Sequence, residues 1–158
     1  MTKWAEEIKE VLKTKTENYS IQERENVSVE YLNNLLEKID SGTIDETEEL
    51  KSKIEYVVNE IPKKIGEKRI SYNTKHLNEI TNLQTYIEEK FNFIKKGRFR
   101  KRYMLMGIPL GMPFGLPFGV AIGKIGLSLL IGMPIGMIIG LFVGNYLDKK
   151  AKTENRVL

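Results

Sequence analysis

The sequence predicts an all-α protein, a small N-terminal helical bundle followed by a two-helix transmembrane hairpin, and three observations carry that prediction. Apolar residues in the first part of the chain recur at helical spacing and nowhere alternate as a strand would require. Further on, glycine falls at 107, 111, 115, 119 and 123, then at 132, 136, 140 and 144, among little besides Ile, Leu, Met, Phe, Val and Pro. Charge is segregated as well: residues 1–94 carry 14 Lys/Arg against 19 Asp/Glu, whereas residues 95–102 hold six cations and no acid. The formal net charge of +4 therefore reflects one local basic cluster and not a basic protein.

The bundle is assigned to residues 1–94. Trp4, Ile8, Val11 and Leu12 share one helical face, with Glu6, Glu7 and Glu10 on others. A polar stretch, residues 17–26, separates this helix from a second one. Ser28 is the expected N-cap there, and Val29, Leu32, Leu36 and Ile39 form the inward face, stopped by Ser41-Gly42. Thr43 or Asp45 is expected to cap a third helix with Leu50, Ile54, Val57, Val58 and Ile61 inward and Pro62 just past its end. A fourth begins at Thr74 and carries Leu77, Ile80, Ile87, Phe91 and Ile94. Each helix is too short and polar to be stable alone, so they must share a core. The N-terminus lacks the apolar run of a secretory signal, and insertion is expected to depend on the hairpin.

The glycine-rich region, residues 103–147, reads as spans 103–122 and 127–147 joined by a turn at 123–126. Each span is about 30 Å long as a helix, enough for one bilayer crossing. In water, the first would lose roughly 14 kcal/mol of helix propensity to its five glycines and to Pro109, Pro113 and Pro117. In a bilayer those residues are tolerated, because the alternative is unsatisfied backbone in hydrocarbon. Recurring proline also argues against strands, whose open edge cannot face lipid. On a straight helix a four-residue row drifts by about 40° per step, which suits a right-handed crossing near −40°. Gly107, Gly111, Gly115, Gly119, Gly123, Gly132, Gly136, Gly140 and Gly144 are the expected packing positions, within the hairpin or between copies. Ile108 and Leu141 are expected to face lipid.

Lys95, Lys96, Arg98, Arg100, Lys101 and Arg102 form a juxtamembrane segment at 95–102, and Lys149, Lys150 and Lys152 lie in a basic polar tail at 148–158. Phe93 and Phe99 are interleaved with the first cluster, a composition that nucleic-acid sites also use. Position decides in favour of the membrane: both open ends of the hairpin are basic, and only Lys124 lies at its tip. The expected partner is a bilayer with anionic headgroups, and the expected location is a cytoplasmic (inner) membrane with both termini cytoplasmic. No cofactor or metal is expected. Cysteine is absent, and one histidine supplies neither a metal cluster nor a catalytic triad.

Two resemblances bear on function. The run GIPLGMPFGLPFGVAIGKIG…GMPIGMIIGLFVG resembles the glycine-zipper membrane proteins of bacteria over about the last third of the chain. It implies that Gly107, Gly111, Gly115 and Gly119, with Gly132, Gly136, Gly140 and Gly144, are contact residues, packing helix on helix within hairpins and between copies. The expected function is that of a self-associating membrane protein, a homo-oligomer that alters permeability as a pore or effector. The prolines at 109, 113, 117 and 134 depart from that pattern. The alternative is a membrane-tethered adaptor whose soluble helices bind a partner. Separately, Arg69 to His76 loosely resembles the Arg-x(4–6)-His signature of HEPN ribonucleases, which implies RNA cleavage by paired Arg and His at a dimer interface. Here Ile70 replaces the polar residue usual after the arginine, and His76 is expected at the surface near a helix start. The reading adopted is non-enzymatic.

Overall fold

The structure is a computed structural model and describes residues 3–62, 64, 74–121, 123 and 126–158. It is all-α: α1 (Lys3–Thr16), α2 (Ile21–Asn26), α3 (Val29–Asp40), α4 (Glu48–Asn59), α5 (Thr74–Phe91), α6 (Arg98–Ala121) and α7 (Gly126–Thr153). The chain forms two compact units, Met1–Phe93 with Leu158, and Ile94–Val157.

In the first unit α1 packs on α3 and α4, α2 on α3, and α5 on α4. The shared core comprises Leu12, Leu32, Leu35, Leu36, Ile54, Leu83 and Ile87, all essentially without exposure, and Leu158 is buried with them. Helix ends are satisfied by side chains. Lys15 donates to the Val58 and Asn59 carbonyls at the end of α4, at 3.0 and 2.8 Å. Trp4 Nε1 donates to Glu55 at 2.6 Å, fixing α1 against α4.

Several local expectations are corrected. The polar stretch 17–26 contains α2, which Ser20 and Glu23 start as a reciprocal capping box. That pattern of Ser, two residues and Glu was present in the sequence. Ser28 does precede α3, but as a left-handed residue (φ 59°) without a side-chain cap, because α2 and α3 abut and the chain must turn there. Thr47, and neither Thr43 nor Asp45, caps α4 by accepting from the Leu50 N–H at 3.3 Å. Leu77 and Val11 are exposed, and Leu83 takes the inward place on α5. Ile94 lies beyond α5 and pairs as an isolated bridge with Val157, its N–H donating to the Arg156 carbonyl at 2.8 Å.

His76 is the sharpest difference. Instead of lying at the surface it is 1% exposed, in the first turn of α5, and neither ring nitrogen makes a well-aligned hydrogen bond to a described residue. Burial holds its pKa below the ordinary value, against the pull of the Val57 and Val27 carbonyls and of Glu60. Arg69, the other half of the HEPN-like pair, lies outside the described residues.

Candidate membrane-spanning hairpin

In the second unit, α6 and α7 run antiparallel and make their contact through the glycine rows. Gly107 meets Gly136, Gly111 meets Gly132, and Gly115 meets the backbone of Ser128. In the other direction Gly140 meets Tyr103, and Gly144 meets Phe99 and Arg100. Each step of four residues up α6 is matched by four residues down α7. A Cβ built on Gly107, Gly111, Gly115, Gly132, Gly136 or Gly140 would overlap a carbonyl oxygen of the facing helix. On Gly144 it would stand 2.5 Å from the Arg100 Cα. Backbone lies against backbone, so glycine is required for steric reasons and not for conformational freedom.

Gly119 is buried in the same row. Gly123 differs: its φ is +68° and nothing lies near its absent side chain, so it turns the chain at the tip and packs against nothing. Lys124 and Ile125 lie outside the described residues. Ser128 occupies the place of a glycine in the α7 row, 1% exposed, and its hydroxyl has no hydrogen-bond partner among the described residues. Ile108 and Leu141 do not face outward. They are half-buried beside the seam, as are Met104, Met112, Met133 and Met137, whose flexible side chains fill its edges.

From Phe99 to Gly115 the close contact persists over about 24 Å of helix. A single straight crossing near −40° would part the helices well before either end. A repeat longer than 3.6 residues keeps its contact line only if the helices wind round each other in the right-handed sense. Pro109, Pro113 and Pro117 lie on the exposed face opposite the glycines. A proline ring inside a helix crowds the carbonyl four residues back, and on this face that crowding lies away from the glycine seam.

Outside the seam the hairpin is apolar and exposed. Leu110, Phe114, Val120, Leu130 and Phe142 are each more than 60% exposed, and less than a third of either span is buried. A water-facing surface of that kind far exceeds the apolar patches that soluble monomers carry. Both helices are long and apolar enough to cross a membrane, and they pack together, which supports a membrane protein.

The basic residues gather at the open end. α6 begins at Arg98, so Arg98, Arg100, Lys101 and Arg102 occupy its first turns, where positive charge opposes the helix dipole. Asp148 offsets this. Its two carboxylate oxygens accept from the Phe99 and Arg100 N–H groups, at 3.2 and 3.0 Å, and it caps α6 from the other helix. The sequence carried a signal for it: Asp148 is the only acidic residue between Glu89 and Glu154. Lys149, Lys150 and Lys152 lie in the last turns of α7, where the dipole favours them. Lys96 precedes α6 and, like Lys149, Lys150 and Lys152, is exposed, whereas Lys95 is half-buried.

The chain matches no protein-family model, no curated protein and no solved structure.

Proposed function

We propose that the protein is a membrane-tethered adaptor, with α6 and α7 as a self-complementary anchor in a cytoplasmic membrane and the acidic helical unit as the part that binds a partner. The observation that carries this reading is the antiparallel seam, in which both glycine rows are filled by the same chain. A glycine zipper that joins copies needs those rows free, or exchanged between chains. A pore needs a polar lining, and Ser128, the serine of the spans, is closed inside the hairpin, while Tyr103, Asn145 and Tyr146 lie only toward its open end. Over most of its length the outer surface offers apolar side chains to its surroundings, with Asn145 and Tyr146 near the open end. An acidic soluble unit behind a basic segment is attracted to an anionic bilayer through the segment alone, which leaves its helices available to a protein with a basic face.

Native mass measurement in lipid nanodiscs tests the reading together with an expression assay. One chain per nanodisc, harmless expression of the full chain, and capture of a specific protein by the acidic unit support the adaptor. A fixed oligomer that makes cells leak dye would replace it with the self-associating, permeability-altering reading expected from the sequence.

A further inference from the structure

Beside the Asp148 cap lies a cleft of about 650 Å³. One wall is a single stripe of α7: Phe142, Asn145, Tyr146, Lys149 and Lys152 follow one another at helical spacing. Lys96 and Gly97, from the turn before α6, form the other wall, with Val157 of the returning tail. Lys96, Lys149 and Lys152 have no ion-pair partner among the described residues. Asp148, the one acid at the cleft, has both carboxylate oxygens engaged by the α6 N–H groups. The cleft therefore sets three cations against one carboxylate, a net of +2 (three minus one), while Lys101 and Arg102 do not line it.

Its polarity is also graded along the α7 axis. Phe142 is apolar and 73% exposed, Asn145 and Tyr146 stand a turn higher, and Lys149 and Lys152 stand about two and three turns above Phe142, over about 15 Å in all. A soluble anion needs only the top of such a cleft. A phospholipid matches all of it, with an acyl chain against Phe142, ester and glycerol oxygens beside Asn145 and Tyr146, and phosphate among the three ammonium groups. Three lysines against one carboxylate leave a net of +2, which matches a headgroup with two negative charges better than one with a single charge. We propose that this cleft is a binding site for a doubly charged anionic phospholipid, and the inference rests on the hairpin spanning a membrane as described above.

The test uses the full chain in nanodiscs of phosphatidylcholine doped with equal minor fractions of phosphatidylglycerol and a four-chain diphosphate lipid. Lipid retention is read by native mass spectrometry. The parent is expected to keep one diphosphate lipid per chain in preference to the other two. K149Q/K152Q should lower that preference by about tenfold or more, since each juxtamembrane lysine contributes on the order of 1 kcal/mol. K101Q/R102Q, an equal loss of charge outside the cleft, should leave the preference intact. Equal losses in both variants, or no preference in the parent, would overturn the site. Displacement of the lipid by millimolar inorganic phosphate would also overturn it, in favour of a soluble-anion site. Protein recovered in the aqueous fraction, outside the nanodiscs, would overturn the membrane reading itself; inserted protein without selective retention sinks only the lipid site.

Discussion

Gly136 and Gly115 show how little room the seam leaves. A side chain at either would meet backbone, which cannot rotate away as a flexible side chain can. Gly115→Leu and Gly136→Leu should force the axes apart toward the 8–10 Å spacing of ordinary helix pairs, at a cost at or above the roughly 1–3 kcal/mol of core overpacking. Spin labels at the exposed positions Leu110 and Ile135 would report the separation. Leu130→Val, at a 70% exposed site, should leave the distance unchanged. Ile108 and Leu141 are poorer controls, since both border the seam. His76 supplies a second residue-scale expectation, in the other unit. Its folded pKa lies below the ordinary value of 6.5, so the unfolded chain takes up the proton first as pH falls. Its contribution is undiminished above about pH 6.5 and declines below it. Urea midpoints for the full chain in detergent should fall between pH 7.5 and 5.5, and His76→Leu should reduce that fall. A parent and variant with equal pH dependence would refute the assignment. Glu23, which Lys64 and the Ser20 N–H hold down to about 2, acts in a separate and more acidic window, its contribution lost as pH falls from 4.5 towards 2.

Between elements, the decisive contact outside the seam is the cap that α7 lends to α6. Cationic residues crowd the first turns of α6 because a juxtamembrane position needs them, and this is the end of a helix where they fit worst. Asp148 resolves the conflict without adding acid to α6 itself. Asp148→Ala should cost about 1 kcal/mol, the usual worth of a cap, and raise hydrogen exchange at the Phe99 and Arg100 amides. Asp148→Asn should keep most of the protection, since the amide oxygen still accepts. Exchange that is unchanged in the alanine variant would show that lipid or water serves those N–H groups equally well.

For the molecule as a whole, the hairpin requires residues before α6 and after α7 to share one side of the membrane. The absence of cysteine makes single-cysteine variants unambiguous. An impermeant maleimide should label Lys3→Cys and Lys152→Cys from the same side and Ala121→Cys, near the tip, from the opposite one. Labelling of Lys3→Cys and Lys152→Cys from opposite sides would mean a single crossing and would refute the anchor.

Much of this protein was legible in the residues themselves. Apolar spacing located α1, α3, α4 and α5, and the glycine and proline rows located α6 and α7, because a helical period is a local property that each segment writes into its own sequence. The row Gly107 to Gly119 announced close helix contact for the same reason: glycine every fourth residue leaves a groove along one face. Which groove would fill it was not legible, since the rows match a second copy as well as they match each other. Only the tertiary structure paired Gly111 with Gly132, turned Gly123 into a hinge at the tip, and placed Ser128 within the seam. It likewise buried His76, which follows the polar run Asn73-Thr74-Lys75, and brought Asp148 to the start of α6. Those features depend on residues far apart in the chain meeting in space. A sequence carries periodicity and charge along its length, whereas partner choice and burial are fixed by what folds against it.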